Sequence, residues 1–406
     1  MANTILTPTA VTREIQRILH QKINFIGSIN RQYDDSFAQT GAKIGDSLKI
    51  RMPNRYTVRT GRIISVQDTA EESVTLQLAT QKGVDMGFTS SDLTLSLDDF
   101  SKRIIAPAVS VLVANIESDA MSMYKDIYNE TSDVGATVDV LDILNTAKKL
   151  TDNLASVSGR TLNLNTQDNV NLVDALKGLF NDPAKLSKNY REGMVASNFL
   201  GFQDVMQNTL WPIHTTGTDD GTGDYLVNDA GTIAQGSTSI TVDTGAGTWK
   251  KGDIFFFDLV FRVHPETKVS TGKLQQFVVT ADAAASATTI SFSPALYSTG
   301  AKQNVSVMPA NNAPLSKLES DETTAIGNAA DYGISMAYHE DAFAFATADL
   351  VMPKGVDFAA REVHEGISIR IVRQYDINND NFPCRLDIFY GFKTIRPELA
   401  CRIGMN

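Results

Sequence analysis

The sequence is poor in the residues that most redox and disulfide chemistry requires. Its 406 residues include only two cysteines, Cys384 and Cys401, each inside an apolar run. Sparse cysteine argues against a disulfide scaffold, so both are expected to be buried, reduced thiols. No apolar run approaches the roughly 18 residues that a spanning helix needs. The first residues also lack the basic and apolar regions of a signal peptide. The sequence therefore predicts neither a disulfide-stapled secreted protein nor a membrane protein.

Motifs for catalysis and metal binding are missing as well. None of the five histidines stands in an HExxH or similar ligand spacing, and no GxSxG elbow occurs. The glycine-rich run 245–253 has Asp253 where a phosphate loop needs its lysine, so it is interpreted as a β-turn. The loop 217–224 could place three carboxylates round a calcium ion, although such spacings are common in plain loops. Those carboxylates are Asp219, Asp220 and Asp224. We predict no cofactor, no resident metal and no catalytic residue.

The charge balance limits the partners of the chain. Its formal net charge is −11 with a pI near 5.0, and 42% of its residues are hydrophobic. Phosphate binding needs clustered Lys and Arg, so an acidic chain does not coat nucleic acid through its whole surface. The length allows two or three subdomains.

The best predicted helix lies between Leu97 and Glu130. Ser96 and Asp99 form a candidate capping box for a lead-in turn, and Pro107 indicates where the long helix begins. About 23 residues up to Asn129 would span about 35 Å, which is more than a small domain requires. One face of this helix is apolar at spacings of three and four residues. Its members are Ile105, Val109, Leu112, Ile116, Ala120, Met123 and Ile127.

Two segments before this helix have the character of arms. Residues 1–35 contain a short amphipathic helix with Thr12 as N-cap, which lies either on its own domain or on another subunit. Its apolar stripe is Ile15, Ile18, Leu19 and Ile23. Residues 36–88 alternate with period two at 47–53 and 73–79, which predicts a long two-stranded excursion. Its first limb is basic, against the single acid Asp46. The basic residues are Lys43, Lys49, Arg51, Arg55, Arg59 and Arg62. They form either a solvated strand face or an arm that docks on a neighbouring copy.

The remaining chain alternates in character. Residues 138–230 favour mixed α/β structure, and 231–310 consists of β-rich runs without helical periodicity, which indicates an insertion. From 331 onward the mixed pattern returns. The finer predictions are helices at 138–154 and 170–180, a strand followed by a helix at 193–206, a helical or mixed segment at 336–350, and strands at 367–377 and 384–392.

Taken in order, these pieces resemble the major capsid (coat) proteins of tailed double-stranded DNA bacteriophages, of the podovirus type with an inserted β-domain. Each matching motif is weak alone, and the order is the specific part; the stretch 150–230 matches least. The matching stretches are GAKIGDSLKIRMP (41–53), GFTSSDLTLSLDDFSKRIIAPAVSVLVANIESDAM (87–121), GTWKKGDIFFFDLVF (247–261), GISIRIVRQYD (366–376) and CRLDIFYGFKTIRPELACRIG (384–404).

The resemblance implies an α+β chain with the Hong Kong 97-type capsid fold and an inserted all-β domain. The implied domains are the N-terminal arm 1–35, the extended β-hairpin loop 36–88, the peripheral domain with its spine helix 89–137, the axial domain 138–230 and 311–361, the inserted β-barrel-like domain 231–310, and the C-terminal strands of the peripheral domain 362–406.

The resemblance also implies a structural protein rather than an enzyme. Copies would form hexamers and pentamers of an icosahedral virion capsid, assembled in the bacterial host cytoplasm. The shell would enclose double-stranded DNA without sequence-specific binding and would carry a portal protein. Because the arm starts almost at Met1, a separate scaffolding protein and no maturation cleavage are expected. The candidate intersubunit contacts are Lys49, Arg51, Arg55, Arg59 and Arg62.

Two alternatives remain open at this point. One is the shell of a cellular nanocompartment that encloses enzyme cargo, although such shells usually lack an inserted β-domain. The other is an enzyme or a glycan-binding protein whose carboxylates are distant in the sequence. A well-formed pocket with convergent polar groups would favour the second alternative.

Overall fold

The structure is a computed structural model. It describes residues 23–31, 47–64, 66–67, 71–89, 106–176, 199–218, 225–229, 231, 233–317, 331–364 and 367–405. Several sequence predictions lie outside these ranges: the N-terminal helix from Thr12 through Leu19, Lys43, the Ser96–Asp99 capping box, Ile105, the start of the segment 193–206, and the carboxylates of 219–224. Ile23, the last residue of the apolar stripe predicted for the N-terminal helix, is described and is not helical. Within the ranges, no helix is long and apolar enough to cross a membrane.

Helices are few in the described residues. The α-helices are α1 (Phe25–Ser28), α2 (Ala106–Met121), α3 (Val140–Asp152) and α4 (Thr166–Leu176), with 3-10 turns at Ser122–Asp126, Glu340–Ala342 and Pro397–Leu399.

Strands dominate the described residues. They are β1 (Ser47–Arg51), β2 (Ser73–Gln77), β3 (Thr80–Thr89), β4 (Glu130–Asp133), β5 (Arg160–Leu164), β6 (Asp204–Gln207), β7 (Ile213–Thr215), β8 (Tyr225–Val227), β9 (Ser237–Asp243), β10 (Ile254–Val263), β11 (Ser270–Val279), β12 (Thr289–Leu296), β13 (Pro314–Lys317), β14 (Asp331–His339), β15 (Phe343–Ala348), β16 (Phe358–His364), β17 (Ile367–Arg373), β18 (Asn381–Thr394) and β19 (Ala400–Met405).

The chain divides into two compact units. The first unit comprises Met1–Arg51, Ser73–Met121 and Phe343–Ile395; the second comprises Met52–Glu72, Ser122–Ala342 and Arg396–Asn406.

The first unit is built on an antiparallel sheet in the order β15-β18-β17-β16, with β3 also paired to β18. Strand β18 is 14 residues long and pairs with β3 over that strand's whole length, from Tyr390↔Thr80 to Asn381↔Thr89. The ring of Tyr390 stacks on Phe345 at 5.7 Å. The strands predicted at 367–377 and 384–392 are therefore confirmed as β17 and β18.

Helix α2 confirms the predicted spine helix in position and face. It begins at Ala106 with Pro107 in its first turn, and Val109, Leu112, Ile116 and Ala120 are buried. It is shorter than predicted, because the α-helix is 16 residues long and the chain continues as a 3-10 turn from Ser122 to Asp126.

The second unit contains a mixed sheet in the order β4-β19-β14-β5-β6, with β7 also paired to β14. The pairs β19–β4 and β5–β6 are parallel. The predicted helix within 193–206 is wrong, since Asp204–Gln207 is strand β6, and the helical interpretation of 336–350 is wrong, since β14 and β15 cover most of it. Almost every residue of β14 and β15 is buried, so their apolar runs have no alternation to distinguish strand from helix.

Helix α3 confirms the prediction for 138–154 with one error in its face. Its N-cap is Asp139, whose carboxylate accepts the backbone N–H of Leu141 and Asp142, while Asp142 accepts the N–H of Asp139 in return. The spacing in the sequence predicts an apolar face made of Val140, Ile143, Leu144, Ala147 and Leu150. Ile143 and Leu150 are buried as predicted, but Leu144 is 44% exposed. Helix α4 agrees with the prediction for 170–176.

The second unit also contains a closed six-stranded barrel in the order β10-β11-β12-β9-β8-β13. Its interior is aromatic: Phe255 lies 5.4 Å from Trp249 and 5.2 Å from Phe257, and Phe277 lies 5.4 Å from Phe292, measured between ring centroids. The β-rich prediction for 231–310 is confirmed in strand content, and the short strands β8 and β13 beyond that range complete the barrel. That 231–310 is a separate inserted domain stays a prediction.

A candidate assembly surface

The hairpin β1–β2 holds the base of the predicted extended loop. The strands pair antiparallel from Ser47↔Gln77 to Arg51↔Ser73. Ile50 and Leu76 are buried, whereas Lys49 and Arg51 on alternate positions are exposed. Strand β18 approaches this hairpin closely, because a Cβ at Gly391 would lie 2.1 Å from the carbonyl oxygen of Gln77. Only glycine allows that approach without a shift of the backbone, so the base of the loop is fixed on the first unit.

The connection between the strands, residues 52–72, is organised by its own polar contacts; we call it the loop tip. The backbone N–H of Thr57 donates to Oε1 of Gln67 at 2.8 Å, and Nε2 of Gln67 donates to the carbonyl oxygen of Thr57 at 2.6 Å. Arg59 donates to the carbonyl oxygen of Gly61, whose φ of +104° favours glycine. These contacts give the loop tip a defined shape.

The loop tip exposes apolar side chains beside its arginines. Val58 is 96% exposed and Ile63 is 88% exposed. Single exposed apolar residues are ordinary, whereas a group of exposed β-branched and aromatic side chains within eleven residues is typical of a candidate interaction surface. The group consists of Tyr56, Val58, Ile63, Ile64 and Val66. The contact residues predicted from sequence were chosen by charge alone, so these side chains were missed although they are visible in the sequence.

The five basic residues predicted as contacts all lie on this loop, and four of them form no ion pair with a described carboxylate. Lys49, Arg51, Arg55, Arg59 and Arg62 are all exposed. Among the described residues, Lys49, Arg55, Arg59 and Arg62 form no ion pair. Burial and then the positive charge of Arg55 lower the pKa of Lys268. The positive charges of Lys49, Arg55, Arg59 and Arg62 are therefore not neutralised by an ion pair within the described residues.

One acid near the loop tip is already paired. Glu72 forms an ion pair with Lys302 of the second unit, and this contact raises the pKa of Lys302. The N–H of Met52 donates to the carbonyl oxygen of Glu72 at 2.8 Å, so the two ends of the loop tip lie side by side. Glu72 is therefore engaged and does not balance the arginines.

In the first unit, the sequence did not predict the contact between Glu117 of α2 and the start of α1. Glu117 of α2 is fully buried and accepts the backbone N–H groups of Asn24 at 3.0 Å, Phe25 at 2.5 Å and Ile26 at 3.3 Å. Its carboxylate thus satisfies the free donors at the start of α1. The ring of Phe25 packs edge-on against Phe343 at 5.5 Å. This end of the N-terminal segment is held to the spine helix.

The second unit holds a buried polar cluster near the C-terminal strand. Arg402 of β19 forms an ion pair with Glu130 of β4, and both side chains are fully buried. The hydroxyl of Tyr332 donates to Oε1 of Glu130 at 3.1 Å, and the guanidinium of Arg402 lies 5.7 Å from the ring centroid of Tyr124. Burial, followed by the charge of Glu130, raises the pKa of Tyr332 well above its usual value. Both tyrosines remain neutral hydrogen-bonding groups at ordinary pH.

The two cysteines and the potential metal ligands are the groups that could support redox or metal chemistry. Cys384 and Cys401 are buried free thiols, as predicted, and burial raises the pKa of Cys384 to about 11. Within the described ranges, no group of three or more His, Cys, Asp and Glu side chains could hold a metal ion.

Comparison with known proteins identifies the family. Residues 30–405 match the model of the family described as P22 coat protein, gene protein 5. No curated protein matches the chain in sequence.

Several solved structures are similar to this chain. A structure from Mycobacterium phage Che8 is 13% identical, with 94% of this chain and 91% of that chain covered and a TM-score of 0.44. A virus-like particle from Pyrococcus furiosus is 8% identical, with 96% of each chain covered and a TM-score of 0.41. The CUS-3 coat protein I-domain is 25% identical over 27% of this chain and 96% of that chain, with a TM-score of 0.18.

The TM-scores are all below 0.5, so the identification depends on the family match, which covers most of the chain. The α+β fold class and the resemblance to phage coat proteins expected from the sequence are confirmed by the observed elements and by the family match. The chain is a structural component of a virion capsid. It belongs to the P22 coat protein family, the major capsid proteins of tailed bacteriophages.

Proposed function

We propose that copies of this chain form hexamers and pentamers of an icosahedral shell that encloses double-stranded DNA. The observation that carries the proposal is the loop tip, where exposed arginines and exposed apolar side chains stand together and the arginines form no ion pair with a described carboxylate. A loop of this composition gains stability when it lies on another protein surface. The net charge of −11 means that a neighbouring copy offers acidic surface to it.

Typical free energies show how much the charged and the apolar contacts of the loop tip would each contribute to docking. An exposed ion pair contributes about 0.2–1 kcal/mol. Burying one Val or Ile side chain fully contributes about 1.5–3 kcal/mol. The apolar side chains of the loop tip therefore provide most of the docking free energy. The arginines Arg55, Arg59 and Arg62, with Lys49 and Arg51 at the base, select an acidic partner surface.

The other proposed partners of the shell are the enclosed DNA, a scaffolding protein and a portal protein. A shell built from this acidic chain would bind the enclosed DNA only weakly, because the negative charges of protein and DNA repel each other. We propose that a separate scaffolding protein directs assembly in the host cytoplasm and that a portal protein occupies one vertex. The barrel, as an inserted domain, would stabilise the subunit and contribute contacts between capsomers.

The test of the docking role is charge reversal in the loop tip. The variant Arg55→Glu/Arg59→Glu should remain folded and should fail to form shells. The matched control is Lys354→Glu/Lys393→Glu, which makes the same charge change at exposed lysines outside the loop. Circular dichroism reports the fold, and sedimentation with electron microscopy reports the shells. Normal shells from the loop variant would refute the docking role.

A second variant tests the apolar part. Val58→Ser/Ile63→Ser leaves every charge in place and should weaken assembly at least as strongly as the charge reversal, by the magnitudes above. Assembly at the wild-type critical concentration would show that these side chains stay exposed in the shell. Nuclease-protected DNA in shells isolated from infected cells would support the phage function, whereas shells filled with cargo protein would contradict it.

A further inference from the structure

One side of the barrel meets the loop tip, and this junction is rich in basic side chains. Glu72, at the end of the loop tip, forms an ion pair with Lys302, which follows β12. The N–H of Met52 donates to the carbonyl oxygen of Glu72 at 2.8 Å, so the other end of the loop tip reaches the same place. The loop tip and this side of the barrel therefore touch within the second unit.

Lys268 lies beside Lys302 on this side of the barrel. Its Nζ donates to the carbonyl oxygen of Gln303 at 3.2 Å, so its ammonium group is held at the residue that follows Lys302. Burial and then the charge of Arg55 lower the pKa of Lys268. The hydrogen bond with Glu72 raises the pKa of Lys302, and the charge of Arg55 acts against that rise. The loop tip thus brings Arg55 close to both lysines.

The turn between β10 and β11 fixes the position of Lys268. The N–H of Lys268 donates to the carbonyl oxygen of His264 at 3.0 Å, and the N–H of His264 donates to the carbonyl oxygen of Val269 at 2.9 Å. Nδ1 of His264 accepts the N–H groups of Glu266 and Thr267, each at 3.2 Å. Lys268 has a φ of +61°, which is uncommon for a residue other than glycine. A lysine held in this way presents its charge in a defined direction.

The positive charges at the junction exceed the negative charge that is paired with them. Arg55, Lys268 and Lys302 are three cations, and within the described residues Glu72 is the only carboxylate that forms an ion pair with any of them. Glu266 belongs to the same turn as Lys268, but no ion pair joins the two in this part of the structure. Like charges held together repel each other, and an acidic partner would relieve that repulsion.

The surroundings of these cations favour a protein partner over a nucleic acid. Val269, next to Lys268, is 66% exposed, and Val58 and Ile63 of the loop tip are exposed as well. Apolar side chains among cations suit a protein surface, whereas nucleic-acid binding depends on many clustered cations that contact phosphates. The net charge of −11 means that a second copy of the chain offers acidic surface.

We propose that Arg55, Lys268 and Lys302 form one composite basic patch, through which the loop tip and the barrel together bind an acidic surface of a second copy of this chain. The inference rests on the assembly proposed above and adds named residues of the barrel to its docking surface. Glu72 is an internal counter-charge that weakens the patch. Charge complementarity across such a patch selects the partner and its orientation.

The first experiment measures the critical concentration for shell assembly of the full-length protein by sedimentation, at low and at high salt. Lys268→Gln/Lys302→Gln should raise the critical concentration about threefold or more at low salt. The difference should shrink at high salt, because salt screens exposed charges. The control Lys250→Gln/Lys251→Gln makes the same charge change at exposed lysines of the same unit and should leave the critical concentration unchanged. Circular dichroism confirms that each variant is folded.

The second experiment replaces each partner of one ion pair separately. Lys302→Gln should raise the critical concentration, since it removes a charge of the patch. Glu72→Gln should lower it, since it removes the counter-charge. If this ion pair only held the loop tip on the barrel, both variants would change assembly in the same direction, and that result would overturn the proposal.

The remaining outcomes separate this inference from the proposed function. If the wild type forms shells and Lys268→Gln/Lys302→Gln assembles equally well, this inference is overturned and the assembly proposal stands. A wild type that never self-associates would overturn both. If the wild type binds a double-stranded DNA fragment and the variant loses that binding while its assembly is unchanged, the patch binds phosphates, which also overturns the proposal.

Discussion

The imidazole Nε2 of His214 lies 3.1 Å from Oδ1 of Asp253, and the two side chains are 3% and 1% exposed. The other ring nitrogen of His214 lies 3.1 Å from the hydroxyl of Tyr124. The second oxygen of Asp253 accepts the backbone N–H of Gly217 at 3.0 Å and of Lys250 at 2.8 Å. This one carboxylate therefore joins β7, the turn before β10 and the loop after β7 in the second unit.

Removal of the Asp253 carboxylate should destabilise the second unit strongly. In Asp253→Ala, the buried backbone N–H of Gly217, the partly buried N–H of Lys250 and the buried imidazole lose their acceptor, which should cost about 3 kcal/mol. Urea unfolding followed by tryptophan fluorescence measures this, because Trp249 lies in the barrel. Asp258→Ala is the control, since Asp258 is exposed on β10. A difference of less than about 0.5 kcal/mol between the variants would contradict the joining role.

The buried pair Arg402–Glu130 should behave differently when one partner or both are replaced. Arg402→Met leaves a buried carboxylate without its cation and should cost about 3–5 kcal/mol. The double variant Arg402→Met/Glu130→Gln removes the unmatched charge and should recover part of that loss. A double-mutant cycle from urea unfolding gives the coupling energy. Strict additivity of the two single effects would show that the charges do not interact.

Glu117 should control how firmly the segment around α1 is held in the first unit. Glu117→Ala removes the acceptor of three backbone N–H groups and should cost about 2–4 kcal/mol, while Glu117→Gln keeps one carbonyl oxygen and should lose less. Hydrogen exchange of the Asn24, Phe25 and Ile26 amides should accelerate in both variants. Ser118→Ala, an exposed change in the same helix, is the control. Unchanged exchange of these amides in Glu117→Ala would refute the contact.

The cap of α3 should make stability depend on pH in one direction. Burial, together with the nearby carboxylates Asp139 and Asp133, raises the pKa of Asp142 to about 6 from its usual 3.8. The folded state therefore holds this proton more tightly than the unfolded chain. The resulting stabilisation is full below about pH 4 and is lost as the pH rises through about 6.

Asp142→Asn tests this pH dependence directly. The wild type minus variant difference in unfolding free energy should fall between pH 4 and pH 7, because only the wild type loses a proton there. Urea unfolding at several pH values provides the difference, with Asp258→Asn as an exposed control. A difference that is constant with pH would contradict the raised pKa.

The sequence predicted elements well where periodicity was strong and on one face only. Helix α2 shows this in Val109 and Leu112, whose spacing identified the buried face. Strands β14 and β15 show the opposite case, because residues such as Ala337 and Phe345 are buried without alternation. Leu144 was misplaced because Thr146 and Lys149 take the buried side of α3, which only tertiary contacts decide.

The charged residues of the loop tip could be predicted from the sequence, whereas the buried contacts of Glu117 and Asp253 could not. The arginines of the loop tip were found because they stand out against an acidic chain, and the apolar side chains between them carried a visible but unused signal. Glu117 and Asp253 were missed for a physical reason. A carboxylate becomes buried only when backbone donors distant in sequence converge on it, and those donors come from other elements.

The measurement that tests the central claim most directly is electron microscopy of the purified protein, alone and together with a scaffolding partner. We expect closed shells of uniform diameter, with hexameric and pentameric capsomers resolved after averaging. A protein that stays a monomer or dimer under every condition, including with the scaffolding partner, would contradict it.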